Sequence, residues 1–386
     1  MRPVTVAVVG LGFGQDFVPI YLRHPDVAHV VLVEPDADHR RAVAQCFGLD
    51  EGYAELSEAL ADPEVDAVHI LAPVFLHAEM VLAALDAGKH VACAVPMATT
   101  LEDIDEIVTA VERSGLVYMM METSVFAREY FAVRDMYEDG ELGDLTLYRG
   151  FHIQNLDGFP RYWQGYPPMH YITHALAPVL SLVGTAVQSV QCRGAGTLTS
   201  DRGTGGFDNP FPTEVGLFTL RDSTVLADVT MSFFQTARSY IEGFALYGDR
   251  GGVEWPSDNE GPLTFYEMTR PAEGRRGNPV RRSQRQSEDR TEALPVPLRQ
   301  FVQPSSIQLP GAPAPVEVSA YHGGSHPHLV HEFVSSIVQH RPPIVDARVA
   351  AQWTAPGICA HISALDDGRS VSVPDYAKRY GASINP

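Results

Sequence analysis

The chain has 386 residues, of which 45% are apolar and 20% charged, and its formal net charge is −20. This length favours two domains over one core, and the acidic balance argues against nucleic acid and anionic membranes as partners. The sequence has no apolar run of about eighteen residues and so predicts no membrane span. Four scattered cysteines and a strand-like start indicate free thiols and a cytoplasmic protein.

The first 125 residues alternate strand-like and helix-like segments. The strand-like segments are apolar runs, namely VTVAVVG, VAHVVLVE, DAVHILAP, KHVACAVP and LVYMMMET. Helix-like segments lie between them, and TTLED opens the last of these with a capping signal. The alternation predicts an α/β domain over residues 1–125 with a Rossmann-type, doubly wound parallel sheet.

The pattern changes after residue 125. Segments such as EVGLFTLRDSTVLADVTMSFFQ predict a largely antiparallel open sheet, and a helix is expected near Met169 to Val183. Residues 270–315 are rich in Pro, Gly, Arg and Ser, which predicts a long loop; a basic docking surface is the alternative. We expect residues 126–386 to form one α+β domain for substrate binding and oligomerisation.

A glycine-rich turn follows the first strand. Gly10-Leu11-Gly12-Phe13-Gly14-Gln15 has the spacing of a dinucleotide-binding loop, with Gln15 where a small residue is usual. Glu34 ends the second strand, where an acid binds ribose hydroxyls and repels a 2′-phosphate, which favours NAD over NADP. Arg40 and Arg41 weaken that exclusion. The alternatives are a plain glycine turn and a surface glutamate.

Further cofactor contacts are expected where later strands end. Ligands of doubly wound sheets bind at the carboxyl ends of the strands, so residues there should line one crevice. The candidates are Ala72, Pro73, His77, Ala94 and Glu122. Together with the glycine-rich turn, they form the predicted nucleotide site.

The sequence resembles the glucose–fructose oxidoreductase / inositol dehydrogenase (Gfo/Idh/MocA) family over nearly the whole chain, through GLGFG, LAPVFLH and AALDAGKHVACAVP. The family's Glu-Lys-Pro reads Ala94-Val95-Pro96 here, so the lysine that helps to bind and deprotonate sugar hydroxyls is absent. The family's Asp-x-Gly-x-His reads His170-Tyr171-Ile172-Thr173-His174. MHYITHALAP is similar to a branch that includes NAD-dependent glycosidases. The resemblance implies a carbohydrate substrate and a homo-oligomer, dimer or tetramer.

Sugar oxidation with NAD requires a group that takes the hydroxyl proton, and histidine suits this at neutral pH. On an ideal helix His170, Tyr171 and His174 fall within an arc of about 100°. With the family lysine absent, we predict that His174 is the general base or acid and Tyr171 a proton relay. His170 would orient the substrate. Without the resemblance, core or surface histidines are the stronger interpretation.

Substrate contacts are predicted at Tyr162 and Trp163, whose ring faces suit a sugar, and at His322 of the HGG segment. The alternatives are aromatic residues that cover the core and a histidine-rich turn. His170 and His174 also have the i, i+4 spacing of metal ligands. No carboxylate or cysteine completes a recognised spacing with them, so we predict no metal.

Three functions follow from these patterns. The leading hypothesis is an NAD-dependent oxidoreductase that takes a hydride from a ring carbinol of a sugar, glycoside or polyol. The first alternative is an NAD-dependent glycosidase or lyase that uses a transient oxidation–elimination cycle. The second is a non-catalytic sensor that binds NAD or a sugar and lost its chemistry with the lysine.

Overall fold

The computed structural model describes residues 2–203, 205–257, 261–270, 274 and 276–380. The chain forms two compact units. Unit 1 comprises residues 1–127 and 289–351, and unit 2 comprises residues 128–288 and 352–386. This division differs from the two contiguous segments expected, because the chain returns to unit 1 after residue 288.

Unit 1 is built on a parallel sheet. Its strands are β1 (Val4–Val9), β2 (Val27–Val33), β3 (Ala67–Ile70), β4 (His90–Cys93) and β5 (Tyr118–Met120). They are arranged in the order β2-β1-β3-β4-β5. All of β1 is buried, as in a parallel sheet covered on both faces. The predicted Rossmann-type sheet is confirmed.

Helices connect these strands: α1 (Leu11–Gly14), α2 (Val18–Arg23), α3 (Ala37–Phe47), α4 (Leu56–Ala61), α5 (His77–Asp86) and α6 (Leu101–Ser114). The TTLED signal caps α6 as expected. The Thr100 hydroxyl accepts the Asp103 N–H at 3.1 Å, and α6 ends at Gly115 with φ 65°. Residues next to each end of α6, the N-cap Thr100 and the C-cap Gly115, therefore define where this helix begins and ends.

Unit 2 contains a mostly antiparallel sheet. Its strands are β6 (Leu145–Ile153), β7 (Val187–Ala195), β8 (Thr213–Leu220), β9 (Leu226–Ser232), β10 (Ile241–Gly248), β11 (Gly251–Glu254), β12 (Leu263–Met268), β13 (Val280–Arg285) and, after the chain returns, β16 (Val371–Ser372). Their order is β13-β12-β11-β10-β6-β9-β8-β7-β16. β6 and β9 run parallel, and their other neighbours pair antiparallel. The expected α+β character is confirmed.

The helices of unit 2 are α7 (Arg128–Glu138), α8 (Thr173–Val183), most of α11 (Ala347–Leu365) and α12 (Tyr376–Tyr380). The helix expected near Met169 to Val183 is divided. A 3₁₀ turn covers Pro168–Tyr171, and α8 begins at Thr173. The turn is held at its start, because the buried Glu214 carboxylate accepts the Met169 N–H at 2.8 Å.

The segment that returns to unit 1 carries β14 (Ser305–Ile307), β15 (Val316–Val318), α9 (Tyr321–Gly324) and α10 (His326–Gln339). Residues 270–315, expected to be one long loop, include β13, β14 and 3₁₀ turns at 291–293 and 296–301. Residues 271–273 and 275 of that expectation lie outside the described residues. β13 pairs with β12, so its arginine-rich sequence is an edge strand, where charge protects against unwanted pairing.

Candidate functional site

The glycine-rich turn of unit 1 has the shape that a pyrophosphate needs. Gly10 has φ 86°, and a Cβ there would lie 2.8 Å from the Leu71 carbonyl oxygen. A Cβ on Gly14 would press on Val8 and Leu71 at 3.1 and 3.2 Å, whereas a Cβ on Gly12 would meet nothing within 4 Å. Gly10 and Gly14 therefore allow close packing, and Gly12 borders open space where a ligand can approach the backbone.

The helix after this turn is broken. α1 ends at Gly14, and α2 starts at Val18 with Pro19 in its first turn. A proline lacks the N–H that would continue α1 and its ring clashes with the carbonyl four residues earlier. The helical segment after the glycine-rich turn is thus divided into two short pieces, and the Gln15 amide donates to the Gly12 carbonyl at 3.0 Å.

Glu34 lies beside the glycine-rich turn. Its Oε2 accepts the Leu11 N–H at 2.9 Å, and its Oε1 accepts the Asp36 N–H at 3.1 Å. These bonds fix the carboxylate where ribose hydroxyls are expected. Arg40 donates to the Glu34 backbone carbonyl, and Arg41 pairs with Asp38 at 2.9 Å. Arg40 and Arg41, which were expected to weaken the exclusion of a 2′-phosphate, therefore each have a partner within the protein.

Other predicted cofactor residues surround the ends of β3, β4 and β5. Ala72, Pro73 and Ala94 are half-buried. His77 is buried, with Nδ1 2.8 Å from the Pro96 carbonyl oxygen and Nε2 3.0 Å from that of Ala72. Burial lowers the pKa of His77, and the two carbonyls oppose that shift. Both ring nitrogens are engaged within the protein, so His77 joins two loops and does not present a nitrogen to a ligand.

Glu122 is fully buried, and its Oε1 accepts the Ser124 N–H at 2.9 Å to start a short 3₁₀ turn. The chain has only two lysines, Lys89 and Lys378. Lys89 donates from Nζ to the carbonyls of Asp62 and Val65 at 2.8 and 2.7 Å, and Lys378 is exposed on α12. Neither arrangement points to a lysine base.

Unit 2 assembles a cluster of aromatic and titratable side chains. The rings of Tyr171 and His174 have centroids 5.1 Å apart. His152 of β6 joins them, with its ring 5.8 Å from Tyr171 and 5.6 Å from His174. Two of the three predicted catalytic side chains are therefore together, although they belong to different helical segments.

A buried carboxylate completes this cluster. Glu242 of β10 places Oε2 3.6 Å from Nδ1 of His174. Glu242 is the register partner of His152 across the β6–β10 pair, so both side chains emerge on the same face. We refer to His152, Tyr171, His174 and Glu242 as the unit 2 cluster. A carboxylate beside an imidazole favours its protonated form.

The third predicted catalytic residue, His170, turns towards different neighbours. Its ring lies 5.1 Å from that of His361, which is 2.7 Å from the Glu214 carboxylate. Burial and the neighbouring His361 lower the pKa of His170 to about 3. His170 does not share a side with Tyr171 and His174 because it lies in the 3₁₀ turn. That turn advances about 120° per residue instead of 100°, so the arc calculated for an ideal α-helix does not apply.

Trp163 extends the unit 2 cluster with an aromatic wall. Its ring lies 5.6 Å from Tyr171 and 5.3 Å from the buried Tyr166. Tyr162 is exposed and lies 5.7 Å from Trp163. Of these two predicted substrate residues, Trp163 is adjacent to Tyr171, and Tyr162 is adjacent to Trp163.

His322 belongs to unit 1, whereas Tyr162 and Trp163 belong to unit 2. Its ring centroid is 6.1 Å from Phe13 of the glycine-rich turn and 5.5 Å from His326. Its backbone is left-handed, with φ 53°. The structure thus groups His322 with the nucleotide loop.

Two members of the unit 2 cluster, His152 and Glu242, were not predicted. Both stand in strand-like segments, FHIQNL and YIEGFAL, where a polar residue at a buried position is the available signal. The segments lie 90 residues apart in sequence, by the difference of 242 and 152. Period-2 patterning gives the face of each strand but not which strands pair.

These features define a class of protein: a Rossmann-type dinucleotide-binding protein with a second unit that carries a histidine, tyrosine and carboxylate cluster. Residues 4–122 match the family described as "Oxidoreductase family, NAD-binding Rossmann fold" (Gfo/Idh/MocA). The matched segment carries the glycine-rich turn and Glu34, so this part of the chain is similar to the NAD-binding domain of that family.

Several curated proteins are similar to this chain. A 1,5-anhydro-D-fructose reductase from Ensifer adhaerens is 35% identical over 137 residues, 36% of this chain and 40% of that protein. An inositol 2-dehydrogenase from Corynebacterium glutamicum is 27% identical over 269 residues, 67% of this chain and 78% of that protein. The chain spans only 43%, 62% and 40% of the length of three curated relatives that it matches.

Solved structures show the same fold. A levoglucosan dehydrogenase in complex with NADH and levoglucosan has a TM-score of 0.76 at 18% identity, covering 97% of this chain and all of that one (100%). An oxidoreductase domain protein from Kribbella flavida has a TM-score of 0.75 at 19% identity, again covering 97% and 100%. In the part of the chain that the structure describes, no helix is both long and apolar enough to cross a bilayer.

Proposed function

We propose that the protein is an NAD-dependent oxidoreductase that oxidises a secondary alcohol of a sugar, glycoside or polyol. The observation that carries this proposal is the unit 2 cluster, in which Tyr171 and His174 adjoin each other and a buried carboxylate. In the same chain, unit 1 has the glycine-rich turn and the acidic residue Glu34 that are typical of an NAD site. Relatives named as inositol and levoglucosan dehydrogenases support this substrate class.

The reaction converts a secondary alcohol and NAD⁺ into a ketone, NADH and a proton. Gly10, Gly12, Gly14 and Glu34 would hold the cofactor. Bound NAD⁺ supplies the acceptor for the hydride of the carbinol carbon. The substrate's hydroxyl proton must go to the protein or to water as the carbonyl forms.

Tyr171 and His174 do the proton work in this proposal. The Nδ1 of His174 faces Glu242, so we assign proton acceptance to Nε2. Glu242 stabilises the imidazolium that results, because opposite charges in a buried site attract strongly. Tyr171 binds the reacting hydroxyl, and Trp163 offers a ring face to the C–H groups of the substrate.

A second candidate is net cleavage of a glycoside by transient oxidation and elimination. It is favoured by the 5.1 Å spacing of Tyr171 and His174, because elimination needs one group to remove a C–H proton and another to protonate the leaving oxygen. The hydride would return at the end of the cycle, so added NAD⁺ would not be consumed.

The expected homo-oligomer also stays a proposal; exposed Val215 and Leu217 on β8 are consistent with a covered sheet face.

The test uses purified protein with NAD⁺ and a panel of myo-inositol, levoglucosan and a nitrophenyl N-acetylgalactosaminide. NADH formation supports the oxidoreductase, and nitrophenol release without net NADH supports the glycosidase. If the protein binds NAD⁺ but gives neither signal across a broad sugar panel, both enzyme proposals are rejected and the sensor is favoured.

A further inference from the structure

We propose that His152, His174 and Glu242 form a binding site for a divalent first-row cation, with Zn²⁺ as the best fit. The three residues are 1%, 4% and 7% exposed. Their candidate ligand atoms all lie within 4.8 Å of one another. The site lies entirely within unit 2, and each ligand comes from a different element: β6, α8 and β10.

The backbone brings the ligands together. His152 and Glu242 are cross-strand partners, so their side chains stand next to each other on one face of the sheet. α8 packs against β6 at Gly150, where a Cβ would lie 2.0 Å from the Ala175 carbonyl oxygen. The Tyr148 hydroxyl donates to that same carbonyl at 2.7 Å. These contacts hold His174, the residue before Ala175, against the two strand ligands.

The distances suit a tetrahedral ion after a small adjustment. Ligand bonds of about 2.1 Å in tetrahedral geometry place neighbouring ligand atoms roughly 3.4 Å apart. The His174 Nδ1 and Glu242 Oε2 atoms are 3.6 Å apart. Side-chain rotations that move ligand atoms by roughly 1 Å would close the whole set to this spacing.

The chemistry of the donor set is that of a catalytic cation site. Two imidazoles and one carboxylate leave a fourth position for water or a substrate oxygen. The Nε2 atom of His152 lies 3.3 Å from Oε1 of Gln154. A ligating histidine usually uses its other nitrogen in this way, which fixes the ring and makes Nδ1 the candidate ligand atom.

A cation in the unit 2 cluster would supply the positive charge that the missing family lysine would otherwise provide. The position of the family lysine holds Val95, which is buried, and none of the four residues of the unit 2 cluster is a lysine or arginine that would supply a permanent positive charge. A divalent cation would supply it and stabilise the substrate alkoxide. His174 then becomes a ligand and Tyr171 takes the proton. The site itself is inferred from geometry, whereas this role rests on the proposed function.

The experiment measures cation binding without substrate or NAD. The full-length protein is stripped with a chelator and titrated with Co²⁺, and visible d–d absorption and Zn²⁺ competition are followed. We expect about one Co²⁺ per chain, displaced by Zn²⁺. His152→Ala and Glu242→Gln should each weaken binding by about 100-fold or more. His361→Gln is the matched control, because His361 pairs with Glu214 at 2.7 Å outside the proposed site, and should bind normally.

A far-UV circular dichroism spectrum and an unfolding temperature close to those of wild type show that each variant is folded, including unit 2. A featureless Co²⁺ titration, or binding that persists in His152→Ala, overturns the cation site. Loss of NADH formation on chelation and its return with Zn²⁺ support the assigned role; full activity in the chelated protein overturns that role. If the protein binds Co²⁺ as predicted but oxidises no alcohol, the proposed function fails while the site stands.

Discussion

Histidines are used differently in the two units. In unit 1, His24 lies 3.0 Å from His331, His69 lies 3.1 Å from the Tyr21 hydroxyl, and His326 stacks on Phe17. Burial lowers the pKa of His24 and of His69 to about 3. These imidazoles are neutral packing groups.

In unit 2, His152 and His174 share a buried site with the carboxylate of Glu242. A carboxylate stabilises imidazolium or recruits a cation, and both chemistries serve alcohol oxidation. The comparison teaches that burial alone does not separate a structural histidine from a candidate catalytic one. In the unit 2 cluster two histidines and a tyrosine share one carboxylate, and that combination marks the candidate site. Each prediction below tests one part of this distinction.

The largest effect is expected at His174. His174→Ala removes the proton acceptor or the cation ligand and should lower the rate of NADH formation by about 1,000-fold. NAD⁺ affinity should stay unchanged, because the nucleotide residues lie in unit 1. The measurement is the kcat for the best substrate of the panel, with His29→Ala, an exposed strand residue, as control. A loss under about threefold would remove His174 from the chemistry.

The structural histidines should make the protein acid-sensitive. The unfolded chain binds protons with an ordinary histidine pKa of 6.5, whereas His24, His69 and His170 bind them only near a pKa of about 3 when folded. The unfolded state therefore takes up more protons, and the free energy of unfolding falls as the pH drops below 6.5. Each residue contributes up to about 1.4 kcal/mol per pH unit.

Urea unfolding at several pH values checks this, and His69→Leu should reduce the slope. A free energy of unfolding that does not change between about pH 6.5 and 4.5 would contradict the assignment of these histidines as neutral packing groups.

A smaller effect is expected from Gly150→Ala. The new Cβ would lie 2.0 Å from the Ala175 carbonyl oxygen, so α8 must move away from β6 and His174 away from His152. We expect a stability loss of about 1–3 kcal/mol and a lower kcat. Gly203→Ala is the control, since its Cβ meets nothing closer than 3.9 Å. Unchanged kcat in Gly150→Ala would mean that the α8–β6 spacing is unimportant for the unit 2 cluster.

The smallest effect on folding is expected at Gly12. Gly12→Ala places a methyl group in open space, so thermal stability should be unchanged while NAD⁺ affinity falls by about tenfold. Gly10→Ala should lower both, because its Cβ meets the Leu71 carbonyl at 2.8 Å and its φ is 86°. Calorimetric NAD⁺ titration of the two variants separates these outcomes. Equal NAD⁺ affinity in Gly12→Ala and wild type would place the pyrophosphate elsewhere.

Local sequence signals predicted the sheet of unit 1 well. Apolar runs such as β1 and the cap at Thr100 act over a few residues, so their structure follows from nearby sequence. The return of residues 289–351 to unit 1 was not predictable, because it depends on tertiary packing. β13 was missed because it lies within the loop expected over 270–315. Its arginine-rich sequence is typical of a solvated loop, and its pairing with β12 at the sheet edge cannot be read from the local sequence.

The candidate site was predicted only in part. Tyr171, His174 and Trp163 came from adjacent sequence and are indeed neighbours in the structure. His170 was placed by ideal-helix geometry, whereas residues Pro168–Tyr171 form a 3₁₀ turn. His152 and Glu242 required the register of β6 against β10, which no local pattern supplies.

The most direct test of the central claim follows the transferred hydrogen. Myo-inositol and levoglucosan carrying deuterium at their carbinol carbons are incubated with NAD⁺ and the protein, and the nucleotide is analysed by mass spectrometry. The account predicts deuterated NADH with wild-type protein and, at equal NAD⁺ occupancy, almost none with His174→Ala. Equal deuterium transfer by both proteins would contradict the role of His174. No transfer from any tested sugar by NAD⁺-loaded wild-type protein would contradict the oxidoreductase itself.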